Sequence, residues 1–146
     1  MPTVSRTRSL RAAPEEVWRI VSDPRRLPDW WPGVRRVEEA STQAWTTVLA
    51  SPRGKSVRAD YTLVDADSGV RLAWRHEVEE SPFERILRRS TTELELEALG
   101  AELTSVTITV RNKPRGFARL GFVQLRRAAV RQVEGALDGL DRLMGG

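Results

Sequence analysis

His76, the one histidine of the chain, is the side chain best suited to acid–base chemistry. An imidazole has a pKa near ~6.5, so close to neutral pH it can accept or donate a proton or hydrogen-bond a ligand carbonyl. His76 alternates with Trp74 on the apolar side of a period-two segment, and Tyr61 and Thr92 are candidate partners. A histidine that only packs in the core fits the same pattern, since catalysis needs an orienting partner that the sequence does not identify.

The composition does not favour metal chemistry. The chain has no cysteine and a single histidine, which excludes disulfides, thiol nucleophiles and ordinary zinc or haem ligand sets. Glu93, Glu95 and Glu97 alternate along a strand candidate, and a solvated strand face opposite arginines explains them without an ion. We therefore expect no metal and no cofactor.

Arg6 and Arg8 share a face with Leu10 in the first strand candidate. Turned inward, a guanidinium could bind a carboxylate or an enolate through two hydrogen bonds. The alternatives are that a bulge or twist turns the arginines outward, or that Glu77 or Glu95 pairs with one of them. Charged side chains are rarely buried without partners, which favours the outward arrangement.

Length and charge limit the class of protein. A chain of 146 residues with 40% apolar content predicts one domain over residues 1–146. The 24 Lys and Arg alternate with 20 Asp and Glu, and no basic cluster contains stacking aromatics, so we expect no nucleic-acid partner. No window approaches the ~18 apolar residues of a membrane span, and the N-terminus lacks a signal-peptide core, so the expected location is cytoplasmic.

The elements that must position these residues begin with a strand from Thr3 to Arg11. Pro14 then suits a first helical turn, and Ser22-Asp23-Pro24 ends that helix and can begin a second. Alternating apolar and polar residues predict six further strands, in which Val70, Leu72, Trp74, His76 and Val78 share one face. Those strands cover residues 34–39, 45–50, 55–65, 70–78, 86–99 and 103–111.

From Pro114 to Met144 the period becomes helical. An apolar stripe there predicts one long helix, of ~40 Å, which needs a concave sheet as its partner. The stripe consists of Phe117, Leu120, Gly121, Leu125, Ala128, Val133, Ala136, Leu137, Leu140 and Leu143. Residues 81–85 and the glycines at 116 and 121 are candidate gates of a cavity, although ordinary turns and packing explain them equally well.

The opening segment and the order of elements together resemble the START-like, or SRPBCC, helix-grip superfamily, which includes the birch-pollen allergen. The sub-group most similar to the chain is the bacterial polyketide cyclase/dehydrase and lipid-transport family. The resemblance implies an α+β helix-grip fold: a curved antiparallel sheet of about seven strands around a long C-terminal helix, with two short helices after the first strand. The matching residues are Ala13, Pro14, Val17 and Trp18, then Ser22, Asp23 and Pro24, then Trp30, Trp31, Pro32 and Val34.

In such a fold the inward strand residues and the near helix face would enclose a cavity, although side chains that fill a solid core would show the same pattern. We therefore predict a binding or carrier protein for a small hydrophobic ligand such as a lipid, a polyketide-like compound or an isoprenoid. The alternative is an aromatase/cyclase or dehydratase in which His76, with Tyr61, acts as acid or base. The oligomeric state, monomer or homodimer, stays open. The expected ligand-binding residues are Trp30, Trp31, Tyr61, Leu63, Leu72, Trp74, His76, Leu94, Ile108, Phe117, Leu120 and Phe122.

Overall fold

The order of helices and strands follows the sequence pattern closely. The computed structural model describes residues 3–50, 54–79, 87–115 and 119–145, and for 119–122 it describes the backbone alone. A 3-10 turn over Pro24–Arg26 separates the first two helices. The elements are β1 (Thr3–Leu10), α1 (Pro14–Val21), α2 (Leu27–Trp30), β2 (Val34–Glu38), β3 (Ala44–Ala50), β4 (Ser56–Asp67), β5 (Arg71–His76), β6 (Leu87–Gly100), β7 (Leu103–Pro114) and α3 (Arg119–Leu143).

The strands of the described ranges form one antiparallel sheet in the order β1-β7-β6-β5-β4-β3-β2. The register shifts between Leu63 and Asp65 on β4, and again near both ends of the β6–β7 pair. Such bulges bend strands and increase their twist, which curves the sheet. Helix α3 packs against β1, β7 and α2. The predicted α+β fold, a curved sheet around a long terminal helix, is confirmed.

Local chemistry explains the two short helices. Pro14 occupies the first turn of α1, and the apolar face of the helix buries Val17 and Val21. The helix ends at Ser22, whose hydroxyl donates to the Trp18 carbonyl at 2.6 Å. The Asp23 side chain then accepts from the Arg25 backbone N–H at 3.0 Å and caps the 3-10 turn.

Helix α3 is confirmed, but its predicted start and part of its stripe are wrong. Pro114 belongs to β7, and the helix begins at Arg119. The buried stripe runs through Val133, Ala136, Leu137 and Leu140, at helical spacing, whereas Leu143 is 39% exposed. Phe117 lies outside the described residues, as do the side chains of Leu120 and Gly121.

The β5 pattern needs one correction. Leu72, Trp74, His76 and Val78 are buried as predicted, but Val70 is 50% exposed. Val70 sits in the turn before the strand, after Gly69 with its positive φ of 80°, so the strand pleat no longer governs its direction.

Arg6 and Arg8 lie half-exposed on the face of edge strand β1 that packs against α3, and both pair with that helix. Arg6 Nε lies 3.5 Å from a Glu134 carboxylate oxygen, and Arg8 forms an ion pair with Asp138. The partners are therefore helix residues rather than Glu77 or Glu95. These contacts cover the edge strand β1 with the terminal helix, which limits edge-to-edge association there.

Candidate ligand-binding cavity

A cavity of about 220 Å³ remains between the sheet, the residues around α2 and helix α3. Each of the strands β3 to β7 contributes to its wall, and α3 contributes residues spaced three and four apart. The lining residues are Leu27, Trp31, Val34, Trp45, Thr47, Leu49, Tyr61, Trp74, His76, Leu87, Ser90, Thr92, Val110, Asn112, Leu125, Ala128, Ala129 and Gln132.

Four tryptophans, Tyr61 and His76 form one continuous aromatic network. Trp74 meets Trp31 and Trp45 edge to face, with ring centroids 5.8 Å apart in both pairs. Trp31 in turn meets Trp30 edge to face at 5.4 Å. Such contacts add to the gain from burial and hold the rings in fixed orientations. The network therefore gives the cavity a rigid aromatic wall.

Register explains how the polar end of this network is built. Trp45 on β3 pairs with Tyr61 on β4, and Tyr61 pairs with His76 on β5. Side chains directly opposite on one face of a sheet lie in contact. Accordingly, the Tyr61 ring stacks on Trp45 at 6.0 Å and on His76 at 4.8 Å between centroids.

Burial sets the protonation states of both titratable groups in the wall. Burial raises the pKa of Tyr61 to about 12, and a hydrogen bond with the Thr47 side chain acts in the opposite direction. Burial also lowers the pKa of His76 below its ordinary value, against the attraction of the Asp60 and Glu77 carboxylates. Both groups are therefore neutral at pH 7.

The raised pKa of Tyr61 predicts a loss of stability at high pH. Tyrosine in an unfolded chain has a pKa near ~10. The stability that neutral Tyr61 contributes to the fold is therefore fully present below pH ~10 and is lost as pH rises through about 12. The loss amounts to up to about 3 kcal/mol. Tyr61 is the only tyrosine, so ultraviolet absorbance of the phenolate reports on it alone. A titration midpoint near 10 with the fold intact would contradict the prediction; Tyr61→Phe, which has no phenol to titrate, is the control.

The remaining polar lining residues include a hydrogen-bonded pair. The Ser90 hydroxyl donates to the Asn112 side-chain carbonyl at 2.6 Å, across the β6–β7 pairing. Thr47 donates to the Ala59 carbonyl at 3.3 Å. Neither Arg6 nor Arg8 lines the cavity, and no charged residue does within the described ranges.

Of the residues that the sequence predicts to bind a ligand, Trp31, Tyr61, Trp74 and His76 line this cavity. Leu63 and Leu72 instead line a second space of about 20 Å³ on the other side of Trp45 and Trp74. Leu94 and Ile108 are fully buried in the core, and Trp30 packs behind Trp31. Phe117, the side chains of Leu120 and Phe122, residues 81–85 and Gly116 lie outside the described part of the chain.

Sequence reasoning missed several lining residues that share one signal. Trp45, Thr47 and Leu49 alternate along β3, and Ala128, Ala129 and Gln132 continue on α3 the helical spacing of Leu125, which was predicted to line the cavity. The periods were therefore sufficient to identify these faces. From the terminal helix, the predicted cavity wall extended only as far as Leu125.

Two further observations bear on the class of site. Among the described residues, no group of three or more His, Asp or Glu is placed to hold a metal ion. None of the described helices has both the length and the apolar character needed to cross a membrane.

The comparisons with known proteins agree with the fold. A START superfamily protein from Mycobacterium smegmatis matches with a TM-score of 0.79 at 13% identity, over 98% of this chain and 97% of that one. A protein from Thermobifida fusca, solved by NMR in solution, matches with a TM-score of 0.74 at 21% identity, over 99% and 94%. The di-domain ARO/CYC protein BexL, from the BE-7585A biosynthetic pathway, matches with a TM-score of 0.80 at 17% identity; 97% of this chain covers 46% of that one.

A curved sheet that holds a terminal helix over an apolar cavity defines a START-like protein. The sequence model of the polyketide cyclase/dehydrase and lipid transport family matches residues 1–145, so the chain belongs to that family. No curated protein matches the chain significantly.

Proposed function

We propose that this protein binds and carries a small hydrophobic ligand inside the cavity between sheet and helix. The observation that carries the proposal is a space of about 220 Å³ whose described lining is uncharged and rich in aromatic rings. Ligand sites for small molecules have this composition, since apolar walls supply affinity and a few polar groups fix orientation.

The packing of the cavity wall supports a preformed site rather than a gap in the core. Trp31, Trp45 and Trp74 hold one another by edge-to-face contacts, so the wall does not need a ligand to order it. An empty cavity costs stability, by roughly 24 cal/mol per Å³ of residual volume. Side chains that are free to move therefore tend to close such a space. A space of this size within a rigid aromatic wall is therefore best explained by a guest molecule.

An acid–base enzyme is the second candidate, and one observation favours it. His76 lines the cavity as a neutral imidazole, which is the form that can abstract a proton α to a carbonyl. Against it, His76 meets Tyr61 face to face, with 26° between the rings. That arrangement packs the faces of the two rings against each other.

One experiment separates the two candidates. Native mass spectrometry of wild-type protein and of His76→Gln, purified from the same host, should show the same bound small molecule on both if the protein is a carrier. An enzyme would instead accumulate an unconverted precursor of different mass on His76→Gln. A wild-type protein that carries no small molecule and takes up no uncharged fluorescent probe would overturn the carrier proposal.

A further inference from the structure

A second opening toward the cavity lies between two turns, a first turn of residues 22–26 after α1 and a second turn of residues 39–43 between β2 and β3. The second space, of about 20 Å³, is bordered by Ser22 and Pro24 of the first turn and by Thr42 of the second. Ser22 and Thr42 are exposed, whereas Leu72, which lines the same space, is buried. The second space therefore extends from the protein surface into the core.

Three side chains separate the second space from the main cavity. Leu27, Trp45 and Trp74 are buried and line both spaces, so this partition is one side chain thick. The two tryptophan rings meet edge to face, with centroids 5.8 Å apart. A change of rotamer in the partition would join the two spaces into one passage from the surface to the cavity.

Trp45 is the member of the partition that can move without breaking a hydrogen bond. Its indole N–H is buried and has no acceptor among the described residues. Its ring is held by contacts with other rings, stacked on Tyr61 and edge to face with Trp74. Because a buried donor without an acceptor is destabilising, a rotation that brings this N–H to water in the opening offsets part of the lost ring contacts.

The two turns are each held by internal hydrogen bonds but are joined weakly to one another. In the first turn the Asp23 side chain accepts from the Arg25 backbone N–H at 3.0 Å, and in the second the Ser41 hydroxyl donates to the Ala44 carbonyl at 3.1 Å. Between the turns, the described residues form one hydrogen bond, from the exposed Arg25 guanidinium to the Ala40 carbonyl at 3.3 Å. Water competes for an exposed bond of this kind, so the turns can separate as units.

We propose that ligands enter and leave the cavity between these two turns, past Trp45, when the hydrogen bond from Arg25 to Ala40 opens. The inference rests on the proposed binding function and adds the route by which the cavity is filled. The second turn also contains backbone strain, because Glu39 has a φ of 53°, a conformation that non-glycine residues rarely adopt. Separation of the turns frees Glu39 to leave that conformation.

Stopped-flow fluorescence with the uncharged probe N-phenyl-1-naphthylamine tests the route. Arg25→Met removes the hydrogen bond between the turns, so we expect the association and dissociation rate constants both to rise about 3-fold or more, with little change in Kd. Arg26→Met is the matched control, since it removes the same charge from the same turn but bonds only to Asp29, at 2.7 Å.

Wild-type rates in Arg25→Met, or an equal rise in Arg26→Met, would overturn the route while leaving the binding function intact. A wild-type protein that does not bind the probe would instead count against the binding function itself.

A cross-link between the turns tests the route in the opposite direction. The chain has no cysteine, so Ser22→Cys with Thr42→Cys introduces a single pair of thiols at the opening. Bridging this pair with 1,2-bis(maleimido)ethane should slow both rates at least ~10-fold. The control is Ser5→Cys with Thr109→Cys, bridged in the same way between β1 and β7. Unchanged rates in the bridged protein, equal slowing in the control, or a pair that the linker cannot bridge would contradict the proposal.

Trp45→Phe tests the partition. A smaller ring lowers the barrier to passage, so we expect the association rate constant for the probe to rise about 3-fold or more. Trp31→Phe is the control, because Trp31 lines the main cavity but not the second space. It removes contacts with the bound probe and should raise the dissociation rate constant alone. An unaltered association rate constant in Trp45→Phe would overturn the passage past this ring.

Discussion

Replacing Gly139 with alanine is expected to lower the free energy of unfolding by about 3 kcal/mol or more. A β-carbon at this position would clash with the Trp30 carbonyl oxygen and would lie 2.8 Å from the Trp30 Cα. Those atoms belong to the backbone of α2, which cannot move aside as a side chain can. The direction of the change in stability is informative, because replacing glycine with alanine inside a helix ordinarily stabilises the fold by about 1 kcal/mol.

Gly135→Ala is the matched variant one helical turn earlier. Its β-carbon would lie 2.6 Å from Cγ of Pro32, and the three nearest atoms all belong to the Pro32 side-chain ring. We expect a smaller loss of stability, because the ring and its loop can shift. Urea denaturation monitored by circular dichroism measures both variants. A Gly139→Ala protein as stable as the wild type would show that α2 and α3 do not pack as closely as described.

The two glycines also show what the sequence could and could not reveal. Their spacing of four residues places them on one helix face, yet nothing in the local pattern says that a backbone must approach there. Pro14, Ser22 and Asp23, by contrast, act on their immediate neighbours, so the short helices could be predicted from them. Contacts between elements distant in sequence depend on how the whole sheet curves.

The same distinction explains the errors in the expected site. Alternation correctly placed Leu94 and Ile108 on the inward face, but it carried no information on position along the strand. Leu94 pairs with Ile108 one repeat beyond the Thr92–Val110 pair, toward the end of the sheet that α1 covers. There the inward face is solid core, whereas at Ser90 and Asn112 it borders the cavity. Periodicity identifies a face, and only packing shows which part of it stays open.

Filling the cavity from the helix side should abolish ligand binding without unfolding the protein. Ala128 is half-buried, lines the cavity and lies on α3, so a phenylalanine there would place its ring in existing space. We expect Ala128→Phe to bind the uncharged probe N-phenyl-1-naphthylamine at least ~100-fold more weakly than the wild type, a loss of ~2.8 kcal/mol. Fluorescence of the bound probe provides the measurement.

Stability distinguishes a filled cavity from a damaged fold. A ring that occupies a hollow gains contacts without displacing core atoms, so the midpoint of thermal unfolding should stay the same or rise. Val123→Phe supplies the control, since Val123 is 46% exposed on the same helix and its replacement adds the same ring outside the cavity. Undiminished probe binding by a folded Ala128→Phe protein would place the ligand elsewhere, because a guest and that ring could not share the space between helix and sheet.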